Sequence, residues 1–323
     1  MTRTADVGDL VERARRADPR AVARLISLVE NDSPLLREVA TALAPYSGTA
    51  QVVGMTGSPG VGKSTSTSAV VAALRKDGKR VGVLAVDPSS PFSGGALLGD
   101  RVRMQDHATD DGVFIRSMAS RGHLGGLSAA VPQALRVLDA AGCDIVLVET
   151  VGVGQAEVEI ASLADTTAVL LAPGMGDGIQ AAKAGILEIA DIFVVNKADR
   201  DGADQVARDL RYMQSLGGRH SEPGAWRPPI VKTVAIRAEG LDDLLAALAK
   251  HRDWLTRGGE FGRRRHARAS AEIEAIAVGE VRARFAEVHG SAVLSRSAQR
   301  VIDGELDPYT AADDLVASLT ATA

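Results

Sequence analysis

A single cysteine, Cys143, stands in 323 residues, which excludes an internal disulfide framework, a zinc knuckle and a CxxC redox pair alike. Set at the head of the run CDIVLVET, it reads as a buried, inert thiol at a strand edge. The six histidines form no HxxxH pair and no tract, so neither a zinc hydrolase nor a nickel store is indicated, and surface or capping roles account for them. An excess of one charge is also missing: 37 basic side chains stand against 41 acidic ones for a net charge of −4, which gives no overall field toward nucleic acid or membrane. No apolar run is long enough to span a bilayer, and Asp6, Asp9 and Glu12 break up the N-terminus where a signal sequence would need its apolar stretch. A cytoplasmic protein is expected, without internal repeats or low-complexity segments.

What is there is a long alternation. The length suits one main domain of roughly 200 residues with smaller attachments. Residues 1–48 read as short helices, with new starts at Asp18-Pro19 and Ser33-Pro34, where a capping side chain precedes a proline at the first helical position. From Gln51 the pattern turns to short β-branched runs separated by amphipathic stretches, the signature of a parallel sheet wrapped by helices. Strands are expected at Val52–Thr56, Arg80–Val86, Val113–Arg116, Asp144–Glu149, Thr166–Leu171, Ile192–Asn196 and Ile230–Ala235, with a helix over Lys63–Lys76. This α/β domain is placed at 49–257. Beyond it, residues 258–323 read as a helical extension whose opening run Arg263, Arg264, Arg265 suits a solvated helix start.

The first chemical signal is GSPGVGKST, in which Gly57, Ser58, Pro59, Gly60, Val61, Gly62, Lys63, Ser64 and Thr65 join a strand to a helix. Glycines at 57, 60 and 62 let backbone N–H groups face phosphate oxygens, and the helix N-terminus adds positive potential. Lys63 is the candidate for the β/γ-phosphates and Ser64 for Mg²⁺. This loop alone does not separate ATP from GTP. The separation comes from Asn196-Lys197-Ala198-Asp199 at a strand end, which looks like the guanine-specificity motif of GTPases. A carboxylate at Asp199 accepts from the guanine ring N–H and 2-amino group, donors that adenine lacks on that edge.

A third signal, Glu149-Thr150-Val151-Gly152 after DIVLV, has the strand, acid and glycine form of a Walker B and γ-phosphate sensor. Glu149 can hold Mg²⁺ through water, and the N–H of Gly152 can report the γ-phosphate. Asp87 and Asp100 lie between these motifs in segments rich in glycine, serine and proline; both fit a switch around the metal, and both also fit helix caps. The loop PGMGDG, Pro173 to Gly178, leads into a segment with Gln180 and Lys183 and reads equally as a second mobile element or a plain turn. Two strand signals between the phosphate loop and ETVG, with helix-like stretches between them, imply parallel neighbours and the SIMIBI class of P-loop NTPases.

Taken in order, GSPGVGKST, VDPSSPFSGGALLGDRVRM, RGHLGGL, ETVGVGQ and NKAD resemble the MeaB/ArgK family of SIMIBI GTPases over most of residues 20–290. The resemblance implies a GTP/GDP- and Mg²⁺-dependent GTPase that gates adenosylcobalamin loading into methylmalonyl-CoA mutase and protects that mutase. It further implies a homodimer formed through the C-terminal helices and the cobalamin adenosyltransferase as an additional partner, with no nucleic acid or membrane. By the same resemblance Lys63 and Ser64 bind phosphate and metal, Asp87, Asp100 and Glu149 form the outer metal shell, and Gly174 to Lys183 is the third switch. At the guanine-supporting SA dipeptide the chain departs: KTVAIRAEG carries Val234-Ala235, valine for serine, followed by Ile236, so only the backbone contact from Ala235 is expected to persist. A different reading, a small-molecule ATP kinase coupled to amino-acid transport, conflicts with NKAD.

Overall fold

The computed structural model describes the chain except residues 1–5, 32, 89–103, 105, 108, 121–129, 151–155, 175–185, 217–223, 289–291 and 321–323. It divides into two compact units, Met1–Arg264 and Arg265–Ala323.

In the first unit, every strand expected from the sequence joins one sheet. The strands are β1 (Gln51–Thr56), β2 (Val81–Pro88), β3 (Val113–Ser120), β4 (Ile145–Thr150), β5 (Thr166–Leu171), β6 (Ile192–Val195) and β7 (Ile230–Lys232). They lie in the order β3-β2-β4-β1-β5-β6-β7, and each neighbouring pair is parallel. Parallel neighbours need long crossovers, and the helices that supply them cover both faces. The inner strands are therefore buried along their length rather than on alternate residues: β1, β4, β5 and β6 are buried at every position, whereas the edge strands β3 and β7 are only partly buried.

Successive side chains still point to opposite faces and sort into separate cores. Val53 and Met55 of β1, Val81 and Val83 of β2 and Leu147 of β4 meet Val70, Val71 and Leu74 of α4 (Lys63–Lys76) and Leu244 and Leu248 of a later helix, Leu241–Arg257. On the other face Leu84, Val86, Val146 and Val148 pack with α5 (Ala130–Ala140) and α6 (Ala156–Leu163), through residues such as Leu138 and Ile160. The same core includes the N-terminal helices α1 (Val7–Arg15), α2 (Pro19–Glu30) and α3 (Leu36–Leu43), through Leu25, Ile26 and Leu43. A third cluster joins Val169 and Phe193 to Val206 and Leu210 of α8 (Ala203–Leu216), which follows the short α7 (Ile186–Ile189).

Of the two capped helix starts expected from the sequence, one is present and one is not. Asp18 accepts from the N–H groups of Arg20 and Ala21 ahead of α2, with Pro19 at the first turn, as expected. Ser33-Pro34 does not cap α3: Ser33 Oγ accepts from Leu35 N–H at 3.3 Å, closing a local turn, and the helix begins at Leu36. A serine hydroxyl that finds a partner two residues on competes with its own capping role.

Two further expectations are corrected at the end of the sheet opposite the phosphate loop. His251, in α9 (Leu241–Arg257), is neither a surface nor a capping residue but is fully buried. Its Nδ1 lies 2.9 Å from Thr166 Oγ1 and its Nε2 3.3 Å from Asp191 Oδ1, and its ring stacks on Trp254. Arg264, in α10 (Glu260–Val288), is only partly solvated and donates both terminal nitrogens to the Asp191 carboxylate at 2.9 Å and one of them to the Asp165 carbonyl. Burial works against ionising Asp191, but the contacts from His251 and Arg264 and the Arg264 charge outweigh it and hold the carboxyl below its ordinary range. Periodicity places such residues on helices but carries no information about which buried carboxylate they will meet.

In the second unit, α10 continues and is followed by α11 (Ala292–Ile302) and α12 (Pro308–Thr320). Ile273, Ile276 and Val281 of α10 are all exposed.

Candidate functional site

The phosphate loop leaves β1 at Thr56 and enters α4 at Lys63, on the carboxyl side of the parallel strands where open α/β sheets place their ligands. Its conformation depends on two glycines. Gly57 has φ +144°, and a Cβ there would sit 2.3 Å from the Leu170 carbonyl oxygen of β5. Gly62 has φ +94°, and a Cβ there would sit 2.6 Å from Nδ2 of Asn196. Both backbones are thus left-handed, where only glycine is free of strain, and both lie against fixed neighbours. Lys63 is buried, and its ammonium donates to the carbonyls of Gly57 at 2.6 Å and Ser58 at 3.2 Å. The charge is therefore held at the centre of the loop's own curve.

At the second residue of α4, Ser64 Oγ donates to Oε1 of Glu149 at 2.6 Å, and Glu149 is only 1 % exposed. The pairing of β1 with β4 puts Glu149 opposite Met55, so the acid emerges beside the loop. A buried hydroxyl and carboxylate in contact form a hard-oxygen pair, the donor set that suits Mg²⁺. Asp87 lies at the carboxyl end of β2, its backbone in register with Ala119 and two residues past the pairing of Ala85 with Glu149. Asp100, Gly152 and the segment 175–183 lie outside the described residues.

Asn196 ties the rest of the site together. It follows β6, is buried, and its Nδ2 donates to the Val61 carbonyl of the phosphate loop at 2.9 Å. Its Oδ1 accepts from the Ala235 N–H at 3.1 Å and from Thr233 Oγ1 at 3.2 Å. Lys197, with φ +56°, turns its ammonium onto the Gly60 carbonyl at 2.7 Å. Asp199 remains near the surface, where one carboxylate oxygen meets Arg237 Nη1 at 3.4 Å. Two segments far apart in sequence, GSPGVGKST and NKAD, are thus brought together with the segment after β7.

That last segment differs from expectation. The strand does not run to Ala235 but ends at Lys232. Thr233 N–H still donates to Val195, but Val234 N–H turns to the Glu239 carbonyl at 3.0 Å, and Ala235–Arg237 form a single 3₁₀ turn. The turn closes at Gly240, whose Cβ would strike the Lys232 carbonyl oxygen at 2.1 Å. Val234 is buried, Ala235 N–H is bonded to Asn196, and Ile236 is left 84 % exposed. Thr233 and Arg237 were not singled out by the sequence: Thr233 was legible only as a neighbour of Val234-Ala235, and Arg237 carried no signal. Cys143 is buried away from these contacts, and burial pushes its thiol up to about 12, in keeping with an inert residue.

Against known proteins, the sequence profile of the family described as "Methylmalonyl Co-A mutase-associated GTPase MeaB" matches residues 22–289. A protein of Pyrococcus abyssi named as a GTPase is 48% identical over 307 residues, covering 95% of each chain. The GTPase ArgK of Escherichia coli is 38% identical over 267 residues, covering 81% of this chain and 80% of its own. A crystal structure titled as a LAO/AO transport system kinase superposes with a TM-score of 0.73 at 28% identity, covering 99% of both chains.

Proposed function

The chain belongs to the MeaB family of mutase-associated GTPases and hydrolyses GTP, and from that premise we propose that its nucleotide cycle gates adenosylcobalamin loading into methylmalonyl-CoA mutase and protects the mutase during turnover. The observation that carries the guanine site is the bonding of Asn196 at once to the phosphate loop and to the segment after β7. One side chain thereby fixes the distance between the loop that would hold phosphate and the loop that would hold a base.

In this reading phosphate oxygens take over the Lys63 ammonium from the carbonyls of Gly57 and Ser58, and the N–H groups of residues 57–65 line the same anion. Ser64 and, through water, Glu149 would hold Mg²⁺, and Asp87 and Asp100 would complete its outer shell. When bound, Mg²⁺ would supply charge neutralisation for the phosphates held by this loop. Gly152 senses the γ-phosphate, and residues 174–183 form the third switch. Asn196, Lys197 and Asp199 bind the base, flanked by Val234, Ala235 and Ile236.

The mutase role is supported by the extent of the family match, and the homodimer reading by the exposed Ile273, Ile276 and Val281 of α10, an apolar set that a second copy could cover. The cobalamin adenosyltransferase and a cytoplasmic setting complete the proposal; no helix is long and apolar enough to cross a membrane among the described residues. The kinase title of the structural neighbour raises a second reading for this chain, against which the NKAD loop stands.

The role is tested by following methylmalonyl-CoA mutase activity through prolonged turnover, with this protein and GTP, with this protein and no nucleotide, and with the Lys63→Ala variant and GTP. Slower inactivation only in the first mixture is expected. Identical inactivation in all three refutes the protective role and leaves the GTPase assignment standing.

A further inference from the structure

The second residue after β7 lacks the hydroxyl expected beside a base-reading carboxylate. Val234 occupies that position, buried, and its isopropyl group has no hydrogen to donate. Asp199 nevertheless has a donor in the same hairpin, because Arg237 Nη1 reaches Oδ2 at 3.4 Å. We propose that Arg237 is a positioning residue for guanine discrimination, holding the Asp199 carboxylate in the orientation that meets the ring N–H and 2-amino group. The proposal rests on the reading of Asp199 as the base acceptor.

Three features of the hairpin fit Arg237 to this task. The first is that its guanidinium is aimed. Glu239 accepts from Nε at 2.8 Å and from Nη2 at 3.4 Å, occupying one edge of the planar fork and leaving Nη1 directed at Asp199. The second is that the hairpin itself is held. Val234 and Glu239 exchange backbone hydrogen bonds at 3.0 and 3.3 Å, and the left-handed Gly240 lies close against Lys232. The third is that the hairpin is fastened to the base loop independently of Arg237, through Ala235 N–H and Thr233 Oγ1 on Asn196 and through Ala198 N–H on the Thr233 carbonyl at 3.0 Å. The backbone around them thus brings Arg237 and Asp199 within reach of each other.

The stoichiometry of the carboxylate permits both contacts. An ionised carboxylate offers about four lone-pair sites, and a single N–H from Arg237 leaves enough to accept two donors from guanine. Because the ion pair is exposed on both sides, it adds little to folding. Its effect belongs in base selectivity rather than in stability, and this separates a positioning role from a merely structural one.

The test is equilibrium binding of GDP, of IDP, which lacks the 2-amino group, and of XDP, which carries an oxo group in its place, to the full chain and to its R237A, V234S/R237A and D199N variants, with urea midpoints measured in parallel. R237A is expected to lower the GDP-to-IDP affinity ratio by about two- to fivefold with an unchanged urea midpoint, and the serine in V234S/R237A to restore the ratio. A ratio unchanged in R237A, equal losses for the two nucleotides, or a loss that the serine does not restore overturns the proposal. D199N separates the two levels of inference: a shift of preference toward XDP keeps Asp199 as the base acceptor whatever Arg237 does, whereas unaltered preference removes that reading and the role of Arg237 with it.

Discussion

If Asn196 joins the phosphate loop to the base loop, damage at Gly62 must act through Asn196, and a double-mutant cycle can show it. In Gly62→Ala the new methyl meets two obstacles. The backbone at φ +94° is left-handed, a conformation that costs an L side chain about 1–2 kcal/mol. The Cβ also falls 2.6 Å from Asn196 Nδ2, well inside contact distance, so the amide must move off the Val61 carbonyl. Moving it also disturbs the bonds from Ala235 N–H and Thr233 Oγ1 to the same side chain, and each buried bond lost is worth about 1 kcal/mol. Together these give a destabilisation of about 2–4 kcal/mol for Gly62→Ala. In an Asn196→Ala background the obstructing amide is absent, so the same substitution costs only the backbone strain. The expected coupling is about 1–2 kcal/mol, read from urea unfolding of the four proteins at equal ionic strength. GDP affinity should fall about tenfold or more in each single variant and little further in the double. Strict additivity, in stability and in affinity, would refute the idea that Gly62 is required to make room for Asn196.

Three other outcomes follow from the same contacts. Lys63→Ala should abolish GTP turnover in a phosphate-release assay, because water cannot replace a charge held at the centre of the loop; a wild-type rate would remove Lys63 from the site. Asp191 is held below the ordinary carboxyl value of 3.8, so its ionised form stabilises the fold above that pH, and the contribution is lost as pH falls through the lower, folded-state value. Asp191→Asn should therefore lower stability at pH 7 and flatten the acid limb of the stability curve below about pH 4, as followed by urea midpoints; a variant with an unchanged acid limb would show that His251 and Arg264 do not act through this carboxylate. Cys143, with its thiol pushed up to about 12, should resist alkylation in the native protein at pH 8 and react once urea unfolds it, as mass spectrometry would record.

Much of this was legible because the signals are local. Helix α4 begins and ends at the residues expected, Lys63 and Lys76, since a glycine loop fixes its start and the turn at Asp77 and left-handed Gly78 its end. Strand β5 likewise matches at both ends, Thr166 and Leu171, as a continuous apolar run that a doubly covered parallel strand requires. The motif GSPGVGKST lies next to NKAD because both sit at carboxyl ends of strands in one parallel sheet, a consequence of topology that the alternation of elements already contained. What escaped was decided by tertiary partners. Nothing local distinguishes Ile230–Lys232 from Thr233–Ala235; the chain leaves the strand because Asn196 takes the N–H of Ala235 and Glu239 takes that of Val234. His251 and Arg264 look like surface residues of polar helices until Asp191 is seen beneath them. Arg237 is the same case at the candidate site: its meaning lies in the carboxylates of Asp199 and Glu239, and only the fold sets the three together.

The central claim joins a guanine-selective site to a protein client, and it is tested most directly by measuring GTP and ATP hydrolysis by the purified protein with and without methylmalonyl-CoA mutase from the same organism, at fixed Mg²⁺ and salt. Slow GTP hydrolysis by the protein alone, accelerated selectively by the mutase, is the expected result. A preference for ATP that the mutase leaves untouched would contradict it and put the kinase reading in its place.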